Sequence, residues 1–182
     1  MIVVPYKIRR GVVTLHSGVE IDLFHPNVDD FIIEDVAHHL SLICRWNGAT
    51  YRFFSVAEHA VMTAERAKVS HQGYKRGLLM HDGEEHILGD NITPLKELFP
   101  ELATIGDAIR NLLLTHFNIK MYDETIVKEY DYEQLLWERE NIIRNDYYQG
   151  LPPEKAKQLF LQKYYEYLEE EKNYVKPNIV LV

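Results

Sequence analysis

Apolar and polar residues alternate in two short runs near the N-terminus, Val12 to His16 and Val19 to Leu23, on either side of Ser17-Gly18. Period-two alternation around a glycine-containing pair is the pattern of a small β-hairpin. An extended arm packed on the body fits the same residues. Pro26 and Asp29-Asp30 mark a turn, and from Ile32 to Arg45 the period changes. Ile33, Val36, Ala37, Leu40, Ile43 and Cys44 then share one stripe at three- and four-residue spacing, which predicts a helix. Asn47-Gly48 ends it as a turn signal.

Ser55-Val56-Ala57-Glu58 matches a capping box, so a second helix is expected from Ser55 to near Lys68. A third is expected from Lys75 to Leu88, before Gly89, Asn91 and Pro94 break the chain. Pro100 closes a short turn after Leu95 to Phe99. Glu101 to Phe117 carries a stripe of Ile105, Ile109, Leu112 and Leu113. Thr125 to Tyr147 reads as one long helix, and Gly150-Leu151-Pro152-Pro153 separates it from a last helix, Glu154 to Asn173. The apolar tail Ile179 to Val182 suits either packing on a neighbouring subunit or fraying. The pattern predicts one all-α domain with a small β appendage: an arm over residues 1–31, a helical core over 32–147, and a last helix and tail over 148–182.

Composition narrows the class. The 182 residues are 46% hydrophobic, which suits one globular domain rather than a disordered chain. No apolar run approaches the ~18 residues of a membrane span. In the opening segment apolar residues precede basic ones and no small-residue cleavage site follows, so no signal peptide is expected. One cysteine, Cys44, cannot form an internal disulfide, and a cytoplasmic setting is the simplest expectation. Twenty Lys+Arg against 28 Asp+Glu give a net charge of −8, which argues against duplex nucleic acid as a partner. A small anion held by a few local cations is compatible with it.

Candidate chemistry centres on His81-Asp82. This pair follows the apolar run Gly77-Leu78-Leu79-Met80, which should be buried. Burying an imidazole and a carboxylate costs several kcal/mol unless something compensates them, and a metal ion is a natural partner. Glu85 is four residues after His81 and three after Asp82, so all three share a face. His59 sits early on the helix capped by Ser55. Asp131 is flanked at four residues on either side by Val127 and Leu135, which turns it inward. Singly, each suits a core histidine or a surface acid. Together, His59, His81, Asp82 and Asp131 make a divalent site of mixed nitrogen and oxygen ligands, suited to Zn, Co, Mn, Mg or Fe(II). His38-His39 point to different faces and suit helix positions with a satisfied ring nitrogen, while His16, His25, His71 and His116 stand alone.

The order His59, His81-Asp82, Asp131 resembles the HD-domain metal-dependent phosphohydrolases. Phe54-Ser55-Val56-Ala57-Glu58-His59 looks like that family's S-V-(A/S)-(E/Q)-H segment. His81-Asp82-Gly83-Glu84-Glu85 resembles its H-D-x-x-E, and Gly89-Asp90-Asn91-Ile92-Thr93-Pro94-Leu95-Lys96 its G-D-x-x-T-P-x-K. Arg45-Trp46 resembles the Arg-Trp pair preceding the first of these. The resemblance covers residues 11–140 and points to the branch of bacterial 5′-deoxynucleotidases and small phage deoxynucleotide phosphohydrolases. Gly83 and Glu84 depart from it, since small residues are commoner at the second of these positions. His86 offers a spare ligand or phosphate contact.

The resemblance implies an HD-type helical bundle, a divalent metal on His59, His81, Asp82 and Asp131, and hydrolysis of a deoxynucleotide. Glu85 is then the general acid/base, with Asp90 in that role or orienting a water or sugar hydroxyl. Arg45 and Lys96 would face phosphate, Trp46 a base, and Thr93 and Pro94 the sugar. Two substrates stay open. A dNTP triphosphohydrolase preferring dATP is favoured by the Arg45-Trp46-Asn47-Gly48 run and the compact length; it would work in a host cytoplasm if phage-encoded. A dNMP 5′-nucleotidase is the alternative. Cations such as Arg52, Arg66, Lys75, Arg76 or Arg110 near the metal would favour the triphosphate. A non-catalytic nucleotide-binding protein is a third reading, opposed by the complete ligand set and Glu85. The tyrosine-rich last helices, with Tyr147-Tyr148 and Tyr164-Tyr165-Glu166-Tyr167, suit interfaces, so a homo-oligomer, hexamer or dimer, is expected. Light scattering should return an even multiple of the chain mass; a monomer mass contradicts this.

Overall fold

The computed structural model describes residues 11–174; the first ten residues of the arm and the tail Ile179 to Val182 lie outside it. The hairpin is present. Strand β1 (Val12–Thr14) pairs antiparallel with β2 (Glu20–Asp22), Val13 opposite Ile21. Ile21 and Leu15 reach the core, and Ser17 fixes the turn by donating from its amide and hydroxyl to the buried Asp35.

The rest is mostly helical: α1 (Ile33–Leu42), α2 (Val56–Glu65), α3 (Lys75–Leu79), α4 (Glu85–Leu88), α5 (Thr93–Leu98), α6 (Pro100–His116), α7 (Glu124–Glu138) and α8 (Pro153–Asn173). No described helix is long and apolar enough to cross a membrane.

Helix α2 is the hub, packed against α1, α3, α7 and α8. Its sequence suits that place, because Ala57, Ala60 and Ala64 are fully buried and let neighbouring backbones approach. The expected cap is half present. Ser55 Oγ accepts from the Glu58 amide at 3.2 Å, but the buried Glu58 carboxylate turns away. It accepts from the Tyr148 hydroxyl at 2.6 Å and the Leu151 amide at 3.2 Å, docking the segment before α8 onto the start of α2. Antiparallel bonds from Arg45 N to Phe54 O and from Val56 N to Ile43 O close the base of the loop between α1 and α2.

Three expectations change. The helix expected over Lys75 to Leu88 is two short helices joined by a tight turn, with Gly83 N bonded to Met80 O and Glu85 N to Asp82 O. A side chain at Gly83 would press on the Met80 carbonyl and on Leu113, so the turn suits glycine. The stretch before Pro100 is helical, α5 beginning with Thr93-Pro94 and ending at Leu98, with Phe99 alone between it and α6. The long helix after Thr125 stops being α-helical at Glu138 and continues as a π-helix over Arg139–Ile143. Such widened turns often accompany functional sites.

Helix α3 is pinned from behind. Met121 lies on the connection after α6, and its carbonyl lies where a Cβ at Gly77 would go. Gly77→Ala should therefore cost about 1–3 kcal/mol as overpacking. For a domain of this size each kcal/mol is about 2–4 °C in Tm. Calorimetry checks this; an unchanged Tm contradicts the packing described.

Candidate metal centre

His59 lies one turn into α2 with its side chain fully enclosed. His81 and Asp82 lie in the turn between α3 and α4. Successive residues of a helix point about 100° apart. Breaking the helix at Met80 lets both side chains converge, His81 Nε2 and Asp82 Oδ2 standing 3.3 Å apart. Asp131 comes from the middle of α7.

Three of these side chains cluster around one point, with Asp82 beside the two imidazoles. His59 Nε2 is 3.2 Å from His81 Nε2, 3.2 Å from Asp131 Oδ1 and 3.4 Å from Asp82 Oδ2. His81 Nε2 is 3.7 Å from Asp131 Oδ1. His59, His81 and Asp131 form a cluster that could hold a metal ion, and Asp82 stands at its edge, shared with Arg45 Nη1 at 3.3 Å.

The ring nitrogens facing inward are the free ones. His81 Nδ1 donates to Leu78 O at 2.6 Å, and His59 Nδ1 donates to Glu138 Oε1 at 2.6 Å. Each ring therefore offers its Nε2 lone pair to the centre, the arrangement that orients metal-binding imidazoles. Two ligands at about 2.0–2.1 Å from one ion lie about 3.3–3.4 Å apart at tetrahedral angles and about 2.8–3.0 Å apart at octahedral ones. Four of the five spacings, at 3.2–3.4 Å, lie near the tetrahedral value for a first-row divalent ion, and the His81–Asp131 spacing of 3.7 Å is wider.

The electrostatics agree. Burial would lower the His81 ring, but Asp82 and Asp131 outweigh it and lift it to about 9. Burial opposes ionisation of Asp131 and Asp82 too, yet the neighbouring imidazoles hold both carboxyls below their usual range. Without a cation the site takes up a proton in its place.

A cavity of about 440 Å³ opens in front of Asp82 and Asp131. Arg45, Trp46, Glu85, Asp90, Thr93, Pro94 and Lys96 all line it, so every substrate-facing residue expected from sequence is brought together. Glu85 is buried, with Oε1 3.7 Å from Lys96 Nζ and Oε2 without a partner. Burial, then the charges of Asp82 and Asp90, push its carboxyl well above the ordinary range, which favours the protonated form. Burial also raises Asp90, whose Oδ2 accepts from the Trp46 amide at 3.1 Å.

Other candidates are placed elsewhere. His86 is buried with Nδ1 donating to Gly83 O at 2.6 Å, and burial lowers its ring to about 4; it joins neither the cluster nor the cavity lining. None of the five additional cations lines the cavity. Arg52 pairs with Asp146, Arg66 with Gln134, Lys75 with Glu170, and Arg76 with Glu171 and two carbonyls at the end of α6. Arg110 pairs with Glu84 across a separate recess of about 70 Å³.

The residue missed in the sequence is Glu138, a fully enclosed carboxylate that contacts His59, Arg45, Trp46 and Gln134. A signal existed. Asp131, Gln134, Leu135 and Glu138 repeat at helical spacing, and the reasoning that turns Asp131 inward through Leu135 extends to Glu138.

The fold and site thus define a helical protein with a His-His-Asp cluster able to hold a metal, at the base of a polar cavity. No family model matches the chain. It is 41% identical over 86 residues to an uncharacterized protein of Rhodobacter capsulatus, a stretch covering 44% of each chain. It is 33% identical over 120 residues to the uncharacterized protein YfdR of Escherichia coli K12, covering 66% of each. The matches therefore span less than two thirds of these relatives' lengths.

The raised His81 value sets a pH signature. In the metal-free chain, protonated His81 contributes stability fully below its unfolded value near pH ~6.5. That contribution disappears as pH rises toward about 9. Saturating metal should flatten this decline, and metal uptake at pH ~7.5 should release about one proton. Titration calorimetry in buffers of different ionisation enthalpy checks this; uptake without proton release contradicts it.

Proposed function

We propose that the chain is a divalent-metal-dependent phosphohydrolase of the HD-domain type, acting at the 5′-phosphate ester of a deoxynucleotide. One observation carries the reading: two imidazole nitrogens lie 3.2 Å apart, each with two aspartate oxygens at 3.2–3.7 Å, beside a cavity holding a buried acid and two cations.

A bound ion would polarise the phosphoryl oxygens and lower the pKa of a coordinated water. His59, His81 and Asp131 would hold it, with Asp82 completing the set. Arg45 presents a guanidinium whose Nε and one Nη are already oriented by Glu138 and Asp82, leaving its cavity side for phosphate oxygens. Lys96 supplies a second positive charge at the mouth. Glu85, whose carboxyl is held well above its ordinary range by burial, is suited to deliver a proton to the leaving sugar oxygen. Asp90 holds the Trp46 amide, and Trp46 walls the side where a base would stack. Thr93 and Pro94 crowd the sugar.

The cation inventory favours a monophosphate. Among the described residues, Arg45 and Lys96 are the basic ones lining the cavity, and both face carboxylates. Hydrolysis of a triphosphate such as dATP would need positive charge beyond that of the described cavity residues, for instance from a second copy of the chain.

Metal-supplemented protein is expected to release inorganic phosphate from dAMP, with chelation abolishing turnover. Tripolyphosphate and deoxyadenosine from dATP, with dAMP untouched, would instead support the triphosphate reading. Glu85→Gln should lower kcat by about 10²–10⁴-fold while metal still binds. Binding of nucleotide and metal without product from any deoxynucleotide would make the chain a binding protein and contradict the proposal.

A further inference from the structure

The cavity wall and the metal cluster share one group. Glu138 Oε1 accepts from His59 Nδ1 at 2.6 Å and from Gln134 Nε2 at 3.1 Å. Its Oε2 accepts from Trp46 Nε1 at 2.8 Å and from Arg45 Nε at 3.2 Å. A carboxylate offers about four lone-pair positions, so this one is fully used. Arg66 Nε donates to Gln134 Oε1 at 2.7 Å, which fixes that amide with its NH₂ toward Glu138.

The donors come from different parts of the chain. His59 belongs to α2, whereas Arg45 and Trp46 belong to the loop closed by the bridge between Cys44 and Ser55. That loop is unfavourable alone, because Trp46 and Asn47 both have positive φ, 58° and 50°. Side chains rarely adopt that region without outside support. The support is two hydrogen bonds from Trp46, one to Asp90 and one to Glu138.

We propose that Glu138 is a positioning residue that ties the orientation of the metal ligand His59 to the placement of Arg45 and Trp46, so that the cation site and the phosphate- and base-facing wall form as one unit. This rests on the phosphohydrolase reading for what the wall binds. The tie itself is a matter of four hydrogen bonds on one enclosed carboxylate. A group that merely filled space would leave metal affinity insensitive to changes at Trp46, which is not among the clustered ligands.

The test uses the full chain and binding rather than turnover. Zn²⁺ affinity is measured by chelator competition, and dAMP affinity at saturating Zn²⁺ by calorimetry. Glu138→Gln keeps the size but replaces one acceptor oxygen with a donor. It should weaken Zn²⁺ by about 10–100-fold, the usual effect of losing an outer partner of a ligand. It should weaken dAMP together with Zn²⁺. Trp46→Phe keeps an aromatic ring and removes the indole N–H. It should weaken Zn²⁺ by at least about threefold, and it answers the question even if Glu138→Gln does not fold. Unchanged Zn²⁺ affinity in folded Trp46→Phe overturns the tie. So does a folded Glu138→Gln in which Zn²⁺ weakens but dAMP binding does not. A native chain that binds no Zn²⁺ overturns the metal reading and the proposal with it. Zn²⁺ binding with no turnover would leave the tie standing and reject only the activity.

Discussion

The bond between His59 Nδ1 and Glu138, 2.6 Å long and closed to solvent, is the contact on which the organisation of the site depends. It fixes which nitrogen of His59 faces the cluster. It also places a negative charge deep in the helical body, where burial is costly unless every lone pair is used. Burial would raise the Glu138 carboxyl, yet His59, Arg45 and Trp46 hold it down to about 2. The carboxylate is therefore ionised throughout the neutral range and acts as an anchor. Helix α2 supplies the imidazole, α7 the acid, and the loop after α1 the remaining donors.

The site concentrates charge at the meeting of elements that otherwise pack by apolar contact. Leu78, Leu79 and Met80 are fully buried immediately before His81-Asp82, and Val56, Ala57 and Ala60 surround His59 along α2. An apolar setting strengthens the attraction of the cluster for a cation and favours the protonated form of Glu85. The unpartnered oxygens of Glu84 and Glu85 show the same environment, since a protonated carboxyl costs less to bury than an ionised one.

Much of this was legible in the sequence, for local reasons. The hairpin follows from alternation at Val12 to Leu23, and the start of α2 from Ser55, whose hydroxyl does cap it. The structure brings His59, His81 and Asp131 together with Asp82 at their edge, and the residues singled out as substrate-facing line one space. What was not legible depended on tertiary contact. The helix break at Met80 carries no proline, and it forms where the turn of Gly83 packs on Leu113 of α6. The Glu58 carboxylate leaves its expected cap because Tyr148, 90 positions away, offers a stronger donor. Glu138 reads as a surface acid until its stripe is followed from Asp131. The placement of Arg52, Arg66, Lys75, Arg76 and Arg110 away from the cavity is set by partners distant in sequence.

The most direct measurement is a crystal structure of the chain grown with Mn²⁺ and a non-hydrolysable dAMP analogue, with the ion located by anomalous scattering. The account predicts one ion among His59 Nε2, His81 Nε2, Asp131 Oδ1 and Asp82. The phosphate should lie between that ion and Arg45, with the sugar oxygen facing Glu85. An ion bound elsewhere, or a nucleotide seated outside this cavity while the cluster stays empty, would contradict it.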